Sequence, residues 1–134
     1  MKKRHSAIAV AAVAVASVWG ISALNAQQPQ FSRKMMQDQE LSAPDRHAVV
    51  ALAEFIPGGA VGKHTHPGEE LGYVLEGSLL LQVEGQPPRT VNAGEVFFVP
   101  AGKVHEGKNT SAGPGKVLST YIVEKGKPLA TPVN

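Results

Sequence analysis

Residues 58–77 read GGAVGKHTHPGEELGYVLEG, and residues 94–109 read GEVFFVPAGKVHEGKN. His64 and His66 stand two apart on a predicted strand over 62–66, so the alternation of an extended chain turns both imidazoles to one face. Pro67-Gly68 then predicts a turn, and Glu70 opens the returning strand. With Gly68 permitting a tight reversal, the Glu70 carboxylate can face the same space as the two rings. His105 lies just past the Pro100-Ala101-Gly102 turn, on a strand able to close against that hairpin. Three imidazoles and one carboxylate form a mixed nitrogen and oxygen set. Such a set suits one divalent transition metal (Fe, Mn, Ni, Cu or Zn) whose sphere keeps open positions for water, dioxygen or a chelating substrate. The chain has no cysteine, which removes thiolate sites, disulfides and cysteine nucleophiles together.

Around this stretch the sequence is a succession of short β-rich runs closed by Gly, Pro or Asn, with no sustained helical period. Strands are predicted over 48–56, 62–66, 70–76, 79–84, 95–99, 104–108 and 116–124. Between them, Gly58-Gly59, Gly85-Gln86-Pro87-Pro88, Ala93-Gly94 and Gly113-Pro114-Gly115 carry turn chemistry. The fold class is all-β, a sandwich or barrel. Leu79-Leu80-Leu81, Val96-Phe97-Phe98-Val99 and Val117-Leu118 are apolar at successive positions, so both faces of those strands call for cover. A second sheet can cover one face, and a homodimer is the expected cover for the other.

The two quoted stretches resemble the paired motifs of the cupin superfamily. Gly58, His64, His66, Glu70 and Gly77 fit the first motif at every spacing. Gly94, Pro100, Gly102, His105 and Asn109 fit the second, with residues 78–93 between them. The resemblance implies a small double-stranded β-helix, or jelly-roll barrel, with a metal inside it bound by His64, His66, Glu70 and His105. It says much less about the reaction, because cupins include dioxygenases, oxalate-handling enzymes, isomerases, lyases and non-catalytic binding modules. Resemblance to flavonol-type dioxygenases gives Glu70 a catalytic role as transient proton acceptor.

At the N-terminus, Lys2, Lys3 and Arg4 precede an Ala/Val-rich run from Ala7 to Val18 and small residues near Ala23 and Ala26. This reads as a secretory signal over residues 1–26, with Gly20-Ile21-Ser22 a second candidate cleavage site and an uncleaved membrane anchor the rival reading. The mature chain, 27–134, is then one cupin domain in the periplasm or outside the cell. The whole chain carries 13 Lys/Arg against 11 Asp/Glu. Three of those cations leave with the signal, so the remainder is near neutral and gives no warrant for a nucleic-acid or membrane partner. Gln27 to Gln30 reads as a polar leader and Lys125 to Asn134 as an extended tail.

Other residues carry weaker signals. His47 lies outside both motifs and reads as a surface residue. Glu69 and Glu106 neighbour the proposed ligands, but alternation turns them away. Phe55, Tyr73, Phe97, Phe98 and Tyr121 are candidates for core, interface or cavity wall. Lys63, Lys103 and Lys108 lie near the ligands in sequence, and they read as surface charge ahead of a mouth that attracts anions. Asn109 and Gly77 serve turn geometry. The expected function is metal-dependent, dioxygenase-type action on a small oxygen-rich molecule. A non-catalytic metal or ligand binding module is the alternative, with non-redox lyase or isomerase chemistry third.

Overall fold

The computed structural model of the chain describes residues 30–134, so the secretory signal read over 1–26 lies outside the described residues. Ten strands follow in order: β1 (Phe31–Glu40), β2 (Arg46–Phe55), β3 (Ala60–Thr65), β4 (Gly68–Glu76), β5 (Ser78–Val83), β6 (Arg89–Asn92), β7 (Val96–Val99), β8 (His105–Asn109), β9 (Gly115–Glu124) and β10 (Thr131–Pro132). They form two five-stranded antiparallel sheets, ordered β1-β2-β9-β4-β7 and β10-β3-β8-β5-β6. This is the jelly-roll barrel that the motifs imply.

Strict alternation builds the interior. β9 runs buried, half-buried, buried along its whole length, with Val117, Ser119, Tyr121 and Val123 turned inward. Facing residues complete the main core: Phe55 from β2, Val74 from β4, Leu79, Leu81 and Val83 from β5, Val91 from β6, and Phe97 and Val99 from β7. Each such side chain contributes about 1.5–3 kcal/mol on burial. A smaller cluster of Val49, Ala51, Tyr121 and Val123, capped by Leu129, continues the core between β2 and β9.

Three strands escaped the sequence reading. β1 is almost wholly exposed, so it lacks an apolar stripe, yet it pairs with β2 from Phe31↔Phe55 to Glu40↔His47 through a bulge between Met35 and Gln37. β6 is four residues long, with only Val91 turned inward. The tail read as extended does extend, but β10 adds to β3 through Thr131↔Thr65 and Pro132↔His64.

Gly68 has a different role from the one expected. Its φ is not left-handed, and a Cβ there would collide with the Ile122 carbonyl oxygen and stand 2.7 Å from Val123 Cα. The residue is small because β4 and β9 meet there backbone to backbone. Gly77 does carry the turn geometry assigned to it, with φ 81°. Asn109 is 1% exposed and ties the β2–β3 loop to the β8–β9 loop. Its Nδ2 donates to the carbonyls of Ile56 (3.1 Å) and Gly113 (2.8 Å), and its Oδ1 accepts from Ser111 N (3.0 Å) and Ser111 Oγ (2.6 Å).

Part of the outer face of the first sheet, on β4 and β7, stays uncovered among the described residues. Leu71 faces Phe98 and Tyr73 faces Val96 across β4 and β7, and with Leu75 these five side chains are 41–64% exposed.

Candidate metal centre

β3 carries His64 one residue before its end, with His66 just beyond it, and β8 begins with His105, which pairs directly with His64 across the sheet. The opposite sheet supplies Glu70 on β4, flanked in register by Val99 and Tyr121. All four are buried, between 3% and 6% exposed. The ring centroids stand 4.2 Å apart for His64 and His105, 4.8 Å for His64 and His66, and 4.9 Å for His66 and His105. One ring nitrogen from each histidine lies within 4.8 Å of those of the other two.

The backbone decides which nitrogens those are. His64 Nδ1 lies 2.7 Å from the Gly62 carbonyl, His66 Nδ1 2.6 Å from that of Leu129, and His105 Nδ1 2.9 Å from that of Lys103. A carbonyl only accepts, so each Nδ1 carries the proton and donates it, and in the neutral ring Nε2 keeps its lone pair. This is the outer-shell arrangement that orients a metal-binding imidazole. For His66 the carbonyl comes from the tail, 63 residues away.

Glu70 Oε2 lies 3.1 Å from both His66 Nε2 and His105 Nε2. The approach to His105 has hydrogen-bond alignment. That to His66 does not, and His66 Nε2 is buried without a hydrogen-bond partner. A carboxylate oxygen facing lone pairs at this distance requires a positive charge between them, a proton or a cation. The donor set fits a divalent cation, since three imidazoles with Nδ1 spent on carbonyls cluster in a buried space beside one carboxylate, and His66 Nε2 has no hydrogen-bond partner there.

Two further residues complete the site, of which only Ser119 was absent from the sequence reading. Ser119 on β9 donates its hydroxyl to Glu70 Oε1 at 2.7 Å and fixes the carboxylate from behind. The Tyr121 ring packs 4.7 Å from that of His66, where sequence alone left Tyr121 undecided between core and cavity. An inward Ser between inward Val117 and Tyr121 breaks an apolar stripe, and that break was the available signal. Phe55, Phe97 and Tyr121 line a small cavity beside His64, Glu70 and His105. Tyr73 and Phe98 point outward. His47 pairs with Asp38 at 2.7 Å on the surface. Lys63, Lys103 and Lys108 are exposed, and Glu69 and Glu106 alternate away from the ligands they adjoin.

Burial pushes His64 down to about 4; the Gly62 carbonyl works against this, and the neighbouring His105 and His66 add to it. For Glu70, burial opposes ionisation, but His105, His66 and Ser119 outweigh it and hold the carboxyl well below the usual carboxylate range. Burial and the adjacent Glu70 charge push the Tyr121 phenol up, so it stays protonated. For the metal-free protein the sign follows directly. Between the unfolded His pKa of about 6.5 and the folded value of about 4, the unfolded chain binds the extra proton, so stability is full above that window and drains as pH falls through it. The expected loss is up to about 3 kcal/mol. Thermal unfolding of chelator-treated protein should show a midpoint that drops between pH 7 and pH 4, with a shallower drop in His64→Gln. A flat profile would refute the burial of a neutral His64.

Comparison with known proteins agrees with this geometry. The family model described as "Cupin domain" matches residues 51–121. Germin-like protein subfamily 2 member 2 of Arabidopsis thaliana is 39% identical over 77 residues, which cover 54% of this chain and 35% of that protein. Oxalate oxidase 2 of Hordeum vulgare is 31% identical over 118 residues, covering 69% of this chain and 51% of the relative. The chain thus spans about half or less of the length of these relatives. A cupin superfamily protein of Desulfitobacterium hafniense superposes with a TM-score of 0.58 at 23% identity, over 75% of this chain and 84% of that one, which shows a shared fold.

Proposed function

The chain belongs to the cupin domain family, and from that membership and the buried imidazole cluster we propose that it is a metal-dependent enzyme acting on a small oxygen-rich molecule by dioxygenase-type chemistry. His64, His66, His105 and Glu70 would hold one divalent cation, Fe, Mn, Ni, Cu or Zn. One observation carries the reading: three buried imidazoles whose Nδ1 protons are committed to backbone carbonyls stand together, and two of them, His66 and His105, hold Nε2 3.1 Å from the Glu70 carboxylate. When bound, the cation supplies Lewis acidity and, if redox-active, a relay for dioxygen.

The chain's own residues do the rest. Glu70 would release the cation transiently and take a proton from a substrate hydroxyl on Oε2, while the Ser119 bond to Oε1 keeps the carboxylate aimed during transfer. Phe55, Phe97 and Val117 keep bulk water from the cavity. The relationship to oxalate oxidase 2 supports a redox role. The test is metal analysis of the purified protein followed by oxygen uptake on enediols, flavonols, oxalate and short carboxylates. Uptake that vanishes in His105→Ala bears the proposal out. Metal-loaded protein inert to the whole panel makes it a binding module, and turnover without oxygen makes it a lyase or isomerase.

Two further proposals concern setting. Residues 1–26 serve as a secretory signal, placing a single domain of residues 27–134 in the periplasm or outside the cell; N-terminal sequencing of exported protein checks this. The exposed face of Leu71, Tyr73, Leu75, Val96 and Phe98 seats a second copy of the chain. Light scattering should give a dimer that Phe98→Glu converts to monomer, and a monomeric wild type would end the idea.

A further inference from the structure

Among the described residues, Arg33 is the one charged side chain lining the cavity that the cation site does not use. Alternation along the start of β1 turns Phe31 and Arg33 inward and leaves Ser32 and Lys34 exposed. The Arg33 guanidinium carbon sits 5.3 Å from the Phe31 ring centroid and 5.7 Å from that of Tyr121, which itself packs on His66. A single aromatic ring therefore separates the guanidinium from the metal-binding imidazoles. Arg33 Nε is buried with no hydrogen-bond partner, and Arg33 enters no ion pair among the described residues. Glu70, the acid lining the same cavity, is already engaged with Ser119 and the histidines. A buried donor on a permanent cation, left unpaired, is costly unless something arrives to accept from it.

The cavity says what that something is. The space beside His64, Glu70 and His105 is about 30 Å³, room for only a few atoms. It adjoins an outer groove of about 190 Å³ lined also by Lys63 and Pro132, and Phe31, Arg33, Val61 and His64 border both. A molecule moving inward toward the histidines thus passes the guanidinium. Resting on the cation-site reading above, we infer that Arg33 anchors the carboxylate of a small organic acid whose second oxygen donor reaches the cation. The planar fork of a guanidinium matches a carboxylate in two hydrogen bonds. A tetrahedral dianion is disfavoured by the narrow apolar walls and the Glu70 charge. β1 precedes the family match over 51–121, so this preference is built from a strand outside the motif region.

The test compares acids with their neutral amides. Full-length protein loaded with Zn(II) is titrated calorimetrically with glycolate, 3-hydroxypropionate and 4-hydroxybutyrate and with the amide of each. At least one acid should bind about tenfold or more tightly than its amide. That ratio should fall to near one in Arg33→Gln and partway in Arg33→Lys, with zinc content unchanged in both. The same titrations on zinc-free protein separate the two readings: a ratio that needs Arg33 but not zinc upholds the anchor and removes the cation from it. Equal ratios in wild type and Arg33→Gln overturn the inference, as does a wild type with no preference for acids or with tighter binding of inorganic phosphate. Should Arg33→Gln fail to fold, an undiminished ratio in Arg33→Lys overturns it equally.

Discussion

Replacing His66 with alanine is expected to lower cation affinity by on the order of 10²-fold or more, a larger loss than any substitution outside the buried cluster. Two costs combine. The ring supplies one of four converging donors, and its Nδ1 bond to the Leu129 carbonyl also fastens the tail across the barrel, so alanine leaves that carbonyl without its donor. His64→Ala and His105→Ala should show comparable losses, since each ring is braced the same way by the carbonyl of Gly62 or Lys103. Ser119→Ala should cost about tenfold, because it frees the carboxylate without removing a donor. His47→Ala, at the exposed pair with Asp38, should leave affinity unchanged. Competition against a chromophoric chelator measures all of these. If His66→Ala and His47→Ala retained metal equally, the four groups would not share a cation.

The contrast between His66 and Ser119 marks how far the chain could be read in advance. Histidines two apart on a strand must share a face, and glycine, proline and asparagine at fixed offsets dictate the turns that bring β3, β4 and β8 together. Those relations are local, so they were legible. What escaped depends on contacts distant in sequence. β1 looks solvated because most of its exposed residues, Met35 and Met36 apart, are charged or polar, and its place in the barrel comes from pairing with β2 along its length. The tail supplies a carbonyl to a histidine 63 positions earlier, which no spacing rule encodes. Arg33 resembles any surface cation until Phe31 and Tyr121 close over it. Lys63, Lys103 and Lys108, which cluster near His64, His66 and His105 along the chain, read first as surface charge, and all three are exposed, with Lys103 paired to Glu84 at 3.9 Å. Of the two apolar faces in the run on β7, the described residues cover the one with Phe97 and Val99 and leave Val96 and Phe98 exposed.

Gly68 offers the sharpest test of how packing constrains the site. A methyl group at this position meets the Ile122 carbonyl oxygen and Val123 Cα. Both are backbone atoms of β9, so no rotamer change relieves the clash and the strands must part. Gly68→Ala is therefore expected to destabilise the fold by about 3 kcal/mol or more, at the upper end of overpacking costs. That is a large share of the roughly 5–15 kcal/mol that holds a domain of this size together. The separation also propagates two residues along β4 to Glu70, which is placed by its register with Tyr121. Cation affinity should fall with stability even though no ligand has changed. Gly62 provides the control, because a Cβ there meets nothing within 4 Å and its φ is not left-handed. Gly62→Ala should be neutral or stabilising by up to about 1 kcal/mol, through the lower entropy of the unfolded chain. Urea midpoints and metal titrations on the two variants give the comparison. Similar effects at both glycines would mean that β4 and β9 have slack at Gly68, and the close backbone approach that seats the Glu70 carboxylate among the imidazoles would lose its basis.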